Sequence, residues 1–218
     1  MSVVQSYDSI PSIGIGFANS LAQRIAATAQ VCINESRYSA IELDSHADSP
    51  VAGNSVYIIK KLGRKVKISG FSDALGKPLL VDVVNAAVIY DCDMTGTSYI
   101  MILRNTLHIP SIDECLIHPI MMRLRGVEVD ECPKFLSKKL SVTNHSIYFT
   151  DLNLSVPLML DGIISCIPCR TPKSDELLNL ETLELTPDVP VWNPHTSLYR
   201  YQEDAMTDFR DDKGVVKT

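Results

Sequence analysis

No stretch of this 218-residue chain approaches the roughly 20 consecutive apolar residues a membrane-spanning helix needs, so no membrane anchor is expected. The N-terminal residues lack an early basic run, and their apolar positions are interrupted by Asn19, Gln23 and Arg24, so no secretory signal is expected either. Cysteine is sparse. The six, Cys32, Cys92, Cys115, Cys132, Cys166 and Cys169, lack the density of a secreted disulfide scaffold, which points to reduced thiols and a cytoplasmic protein. No G-x-S-x-G segment offers a hydrolase nucleophile elbow. The G-I-G at Gly14–Gly16 lacks the further glycine and the preceding strand of a nucleotide loop. Cys166-Ile-Pro-Cys169 has the spacing of half a zinc knuckle, but His108 and His118 do not form the close pair that would complete it. No metal and no cofactor is expected. A basic balance is also missing: net charge is −6, and Ser174–Thr218 holds ten of the 26 acidic residues but four of the 20 basic ones. The cluster Lys60–Lys67 reads as a solvated hairpin edge, so direct nucleic-acid binding is not expected.

What is present is enough to fold. With 45% hydrophobic and 6% aromatic residues the chain can bury a core. Three regions follow from its patterning. Residues 1–36 form an N-terminal extension in which Phe17–Val31 has helical spacing. Residues 37–150 carry short β-rich runs at Ala40–Leu43, Ser55–Ile59, Lys65–Ile68, Leu79–Tyr90 and Tyr99–Leu103, the pattern of a small barrel or sandwich. Residues 151–218 form a C-terminal extension, acidic and proline-containing, with irregular structure expected after Arg170.

The segment I-E-L-D-S-H-A-D at Ile41–Asp48 carries the most chemistry. A carboxylate where a buried strand ends is costly to desolvate unless it is hydrogen-bonded, paired or used. Asp44 is placed there. Asp-Ser is also a common strand-end turn, which is the plainer account of the same residues. Two carboxylates about 3 Å apart can share one proton, one acting as base toward water while the other stays protonated. The sequence contains no second segment of this kind, so a working pair requires two copies of the chain facing each other across a two-fold axis.

Lys65–Ser69 and Lys77–Val84 flank a loop bounded by Gly70 and Gly76, which is either a flap over a peptide cleft or an ordinary surface hairpin. Further on, Pro119 suits the first turn of a helix and Gly126 its C-terminal cap, with Ile120, Met121 and Leu124 as an apolar stripe.

Taken in order, L-D-S-H-A-D at Leu43–Asp48, the Gly-bounded hairpin, T-L-H-I-P at Thr106–Pro110, C-L-I-H at Cys115–His118 and the helix ending at Gly126 resemble a retropepsin. The set is more closely similar to the protease region of copia-type retrotransposon polyproteins. N-H-S-I-Y-F at Asn144–Phe149 and L-D-G-I-I-S at Leu160–Ser165 resemble divergent protist and fungal versions. The resemblance implies a mainly β, retropepsin-like closed barrel with a flap hairpin and one short helix. It further implies an aspartic endopeptidase, active as a homodimer on a polypeptide substrate and processing a retrotransposon polyprotein within its particles. Asp44 would be the catalytic carboxylate, and Ser45, His46 and Ala47 the turn that braces the dimer. Asp48, Gly70, Phe71 and Gly76 would contact substrate. The family pattern has Gly after Asp-Ser, where this chain has His46, a side chain in a place that Gly leaves open to close backbone approach. Its presence keeps a second expectation open: a retropepsin-like fold without catalysis, used for peptide binding or assembly.

Overall fold

The computed structural model describes residues 39–68, 78–141, 143–205 and 213. The helix expected at Phe17–Val31 and the loop from Gly70 to Gly76 lie outside them. The described chain is mainly β.

Its first strand, β1 (Ala40–Leu43), is followed by the two-residue β2 (Val51–Ala52), then β3 (Tyr57–Ile68), β4 (Leu79–Cys92) and β5 (Thr97–His108). The short β6 (Cys115–Ile117) leads into helix α1 (Pro119–Arg125). Three strands, β7 (Glu128–Asp130), β8 (Ser146–Phe149) and β9 (Leu154–Pro157), form a small antiparallel sheet of their own. The hairpin β10 (Met159–Asp161) and β11 (Ile164–Pro168), helix α2 (Glu176–Asn179), strand β12 (Glu181–Glu184) and helix α3 (Ser197–Ala205) complete the chain.

The main sheet runs β10-β11-β1-β6-β2-β5-β4-β3, with β12 added beside β5. Among the described residues it starts and ends on edge strands and does not close, so an open nine-stranded sheet stands where a closed barrel was expected. One end, β3, keeps its edge wet with the exposed Lys60, Lys61, Lys65 and Lys67, a charge pattern that discourages pairing with another chain. The two runs expected at Ser55–Ile59 and Lys65–Ile68 are one strand. Its register against β4 shifts between Lys61 and Lys65, around Gly63, whose φ of 70° suits glycine. Pairing reaches Ile68 opposite Leu79, so the two arms of the expected hairpin are present on either side of its loop.

Alternation along β4 and β5 explains the core. Val88, Tyr90 and Cys92 with Met101 and Leu103 face the largest apolar cluster, while Ala87 and Ile89 with Ile100 and Ile102 face the opposite side. The second face also needs cover. Leu177 and Leu180, at and just after α2, supply it, and Arg170 anchors that helix through ion pairs to both Asp91 and Glu176. Beyond it, Leu183 and Leu185 enter the main core at 1% and 0% exposure as β12 pairs in parallel with Tyr99–Ile102.

The extension expected to be irregular after Arg170 is therefore part of the folded body as far as Ala205, because two faces of β4 and β5 are apolar and residues 37–150 cover only one. Nor does a boundary fall at 150: β8 pairs with β9 across it, and β11 pairs with β1. Among the described residues there are three α-helices, where one short helix was expected besides the N-terminal one.

Candidate active site

Sandwiched between β11 and β6, β1 is buried from Ile41 to Leu43. Its parallel ladder with β6 ends where the Asp44 amide donates to the Ile117 carbonyl at 3.0 Å. The chain then turns. His46 N–H donates to Asp44 Oδ1 at 2.8 Å, and Ala47 N–H to the Asp44 carbonyl at 3.3 Å, an Asx-type turn. Ala47, 1% exposed, fixes the far side, while Ser45 and His46 stand exposed at the tip.

Asp44 thus spans the step from buried strand to open turn, its side chain 12% exposed. Its Oδ2 is buried and has no hydrogen-bonding partner among the described residues. Desolvating a carboxylate oxygen without a donor costs about 1–3 kcal/mol, a cost that the described residues leave uncompensated. Nothing comparable holds the imidazole of His46. It is 84% exposed, with Nδ1 3.7 Å from Asp44 Oδ1 and 3.5 Å from Ser45 Oγ.

The turn rests on His118. At the N-cap of α1 its Nδ1 accepts the Ile120 amide at 3.0 Å, and Gly126 closes the helix with φ 92° and an N–H to Arg123 O at 2.9 Å. The same imidazole hydrogen-bonds the Ser45 backbone and faces the Asp44 charge, yet burial outweighs both and holds its pKa below the ordinary histidine value. A neutral ring is what an accepting Nδ1 requires.

Two cavities meet at this turn. The smaller, about 250 Å³, lies between Ser45–Asp48, His118 and α1. A larger one, about 530 Å³, runs from His46 and Asp48 to Arg64, Asn105 and Leu107 on β3 and β5. Trp192 and Pro194 line both. The Trp192 Nε1–H donates to the Asp48 carbonyl at 2.9 Å, and His195 Nε2 lies 3.7 Å from Asp48 Oδ2.

Of the residues singled out in the sequence, Asp44, Ser45, His46, Ala47 and Asp48 are brought together on one turn beside these cavities. Gly70, Phe71 and Gly76 fall outside the described residues. Sequence reasoning missed His118, Arg64, Asn105 and Trp192. His118-Pro119 ahead of an apolar helix was a legible cap signal. Trp192, the sole tryptophan, stood out by composition alone, whereas nothing in sequence marked Arg64 and Asn105.

Other nucleophiles are less well placed. Burial pushes the Cys115 and Cys166 thiols up to about 11, against thiolate formation. Ser165 Oγ and His145 Nε2 are 3.0 Å apart, but both residues are buried away from either cavity. Among the described residues no three His, Cys, Asp or Glu side chains converge as a metal-binding group. None of their helices is long and apolar enough to cross a membrane.

Comparison with protein-family models, curated proteins and solved structures finds no match to the chain.

Proposed function

We propose that this chain is one half of a retropepsin-like aspartic endopeptidase, completed when a second copy brings its Asp44 alongside the first. The observation that carries the reading is Asp44 Oδ2: a buried carboxylate oxygen without a donor among the described residues, at a strand end whose following residues His46 and Asp48 line a cleft. A twin carboxylate sharing one proton would give it the partner that the described residues do not supply.

In the shared-proton pair, the ionised carboxylate draws a proton from a water molecule as the water oxygen bonds to the scissile carbonyl carbon. The protonated carboxyl hydrogen-bonds the carbonyl oxygen as charge develops there. Collapse of the tetrahedral intermediate breaks the C–N bond. The leaving nitrogen takes up a proton, giving an amine and a carboxylic acid. On this reading the exposed Ser45 bonds across the two-fold junction of the dimer, and the peptide enters the cleft lined by His46, Asp48, Arg64 and Asn105. A retrotransposon polyprotein is the substrate that the ordered sequence motifs suggest.

A second reading is favoured by one observation. His46 carries an exposed imidazole on the turn where a second copy would approach. On that reading the chain keeps the peptide cleft for binding or assembly and has lost hydrolysis.

Peptide cleavage at mildly acidic pH, measured against protein concentration, tests the two. A half-site enzyme loses specific activity on dilution as the dimer dissociates, and Asp44→Asn silences it. Cleavage absent at every concentration, or unaffected by Asp44→Asn, leaves the binding reading standing.

A further inference from the structure

The tail leaves β5 at an unusual place. Leu185 N–H still donates to the Ile102 carbonyl at 3.0 Å, and Thr186 Oγ1 accepts the Arg104 amide at 2.6 Å. Then β5 bends at Asn105, a non-glycine residue with φ 53°, opposite a register shift on β4 between Val84 and Ala86. Beyond the bend, β2 takes over the same edge, pairing Val51 with Leu107. The tail is therefore displaced from the sheet. Pro187, Pro190 and Pro194 have no N–H to extend a ladder, and the segment crosses the cleft as a strap that bends at Pro190–Val191 and turns at Pro194–His195.

Besides an ion pair from Arg104 to the Asp188 carboxylate at 3.7 Å, the strap is held through backbone carbonyls by side-chain donors. Asn105 Nδ2 donates to the Val189 carbonyl at 2.7 Å, and Arg64 Nη2 to the Pro190 carbonyl at 3.4 Å. Arg64 Nη2 is itself fixed by Asn105 Oδ1 at 2.6 Å. Two residues on, the Trp192 indole bonds the Asp48 carbonyl and fills the wall between the two cavities. Asn105 is 5% exposed. A buried amide donor aimed into a cleft needs an acceptor whenever the cleft functions, and here a peptide carbonyl supplies it.

We propose that the groove between β3, β5 and the Asp44 turn is a binding site for a proline-containing polypeptide segment, and that Pro187–His195 occupies it in cis, as a built-in competitor that incoming peptides must displace. This rests on the endopeptidase reading for its use, though not for the binding itself. The ligand class follows from the contacts. Successive carbonyls meet Asn105 and Arg64, and a large aromatic side chain follows two residues after the one at Arg64. Proline is tolerated between them, because the groove takes carbonyls there and no strap N–H.

The test uses the full chain and a fluorescein-labelled peptide of residues 187–196, followed by anisotropy. Trp192→Ala loosens the strap and is expected to bind the peptide about tenfold or more tightly than the unaltered chain, since apparent affinity scales with the fraction of open grooves. Asn105→Asp in that background keeps the left-handed backbone accessible but removes the amide donor, and is expected to abolish the gain. Should Trp192→Ala not fold, Arg64→Ala and Asn105→Asp in the otherwise unaltered chain give a second readout. Release of the strap then raises acrylamide quenching of Trp192, the sole tryptophan. Folded Trp192→Ala that binds no more peptide than the unaltered chain overturns the proposal, as does unchanged quenching in both groove variants. Cleavage is scored separately. Peptide binding without Asp44-dependent cleavage removes the endopeptidase reading and keeps the groove; Asp44-dependent cleavage without strap competition does the reverse.

Discussion

The indole of Trp192 donates a 2.9 Å hydrogen bond to the carbonyl of Asp48, a residue 144 positions earlier in the chain. That bond ties the C-terminal tail to the turn that carries Asp44. Trp192 also stacks obliquely on Tyr199 of α3, ring centroids 6.0 Å apart, so tail, helix and turn form one connected surface. The tail acts structurally through Leu177, Leu180, Leu183 and Leu185, which cover apolar faces of β4 and β5. Its position over the site continues from that docking: β12 pairs beside Tyr99–Ile102, and Val189 and Pro190 then meet Asn105 and Arg64.

Asp44→Ala is expected to abolish cleavage without lowering the melting temperature of the dilute monomer. The substitution removes a buried oxygen with no partner among the described residues, a cost of about 1–3 kcal/mol, and forfeits the His46 amide bond to the carboxylate, worth about 1.5–3 kcal/mol. The two effects are of similar size and offset each other. Thermal unfolding followed by circular dichroism at low protein concentration checks it. A drop of several degrees would mean that Oδ2 finds a donor within its own chain.

Gly53→Ala is expected to destabilise the fold and to displace the start of β6, the strand whose far end at Ile117 supports Asp44. A Cβ at Gly53 would lie 2.7 Å from the Ile112 carbonyl oxygen and closer still to that of Glu114, both rigid backbone atoms. Overpacking of this kind costs about 1–3 kcal/mol. Urea denaturation should show a lower midpoint with an unchanged slope. An unchanged midpoint would mean that the 112–114 loop yields freely.

Much of this was legible before the structure, and the reasons are local. Leu79–Tyr90 and Tyr99–Leu103 are long apolar runs that no surface segment would carry, and Pro119 and Gly126 bracket a helix whose ends they cap. The Asp44 turn could be read because its chemistry is contained in consecutive residues. What stayed hidden depends on neighbours distant in sequence. A two-residue strand such as β2 has no period to detect, yet it separates β5 from β6 and leaves room for the cleft. In E-T-L-E-L the alternation of Leu183 and Leu185 was a strand signal, overruled by the acidic composition around it. Asn105 gave no sign at all, because its role comes from the bend in β5.

Stability is expected to fall as pH drops below about 6.5, the ordinary histidine value. Burial holds His108, His118 and His145 below that value. A base with a depressed folded pKa stabilises fully above its unfolded pKa, and that contribution is lost as pH falls from the unfolded value to the folded one. Arg170 keeps Glu176 down at about 2 and Asp91 low as well, so carboxylate losses there come in stronger acid. His118→Asn keeps a capping acceptor for the Ile120 amide but cannot titrate. Melting temperature plotted against pH should therefore be flatter for this variant between pH 5 and 7 (roughly the range over which histidines titrate), and an identical slope would remove His118 from the account.

His46→Gly is expected to raise the cleavage rate. The His46 ring lies 3.7 Å from Asp44 Oδ1 and is 84% exposed on the turn where a second copy would approach. Glycine removes the bulk at the tip while keeping the main-chain N–H that bonds Asp44 Oδ1. The cost is backbone entropy, about 0.5–1 kcal/mol. His46→Ala separates the causes, since it too removes the ring but retains a Cβ at the two-fold junction. Equal gains in both variants assign the effect to the ring, and a gain in Gly alone assigns it to close approach of the two turns. If both variants lose activity while remaining folded dimers, imidazole is part of the working site.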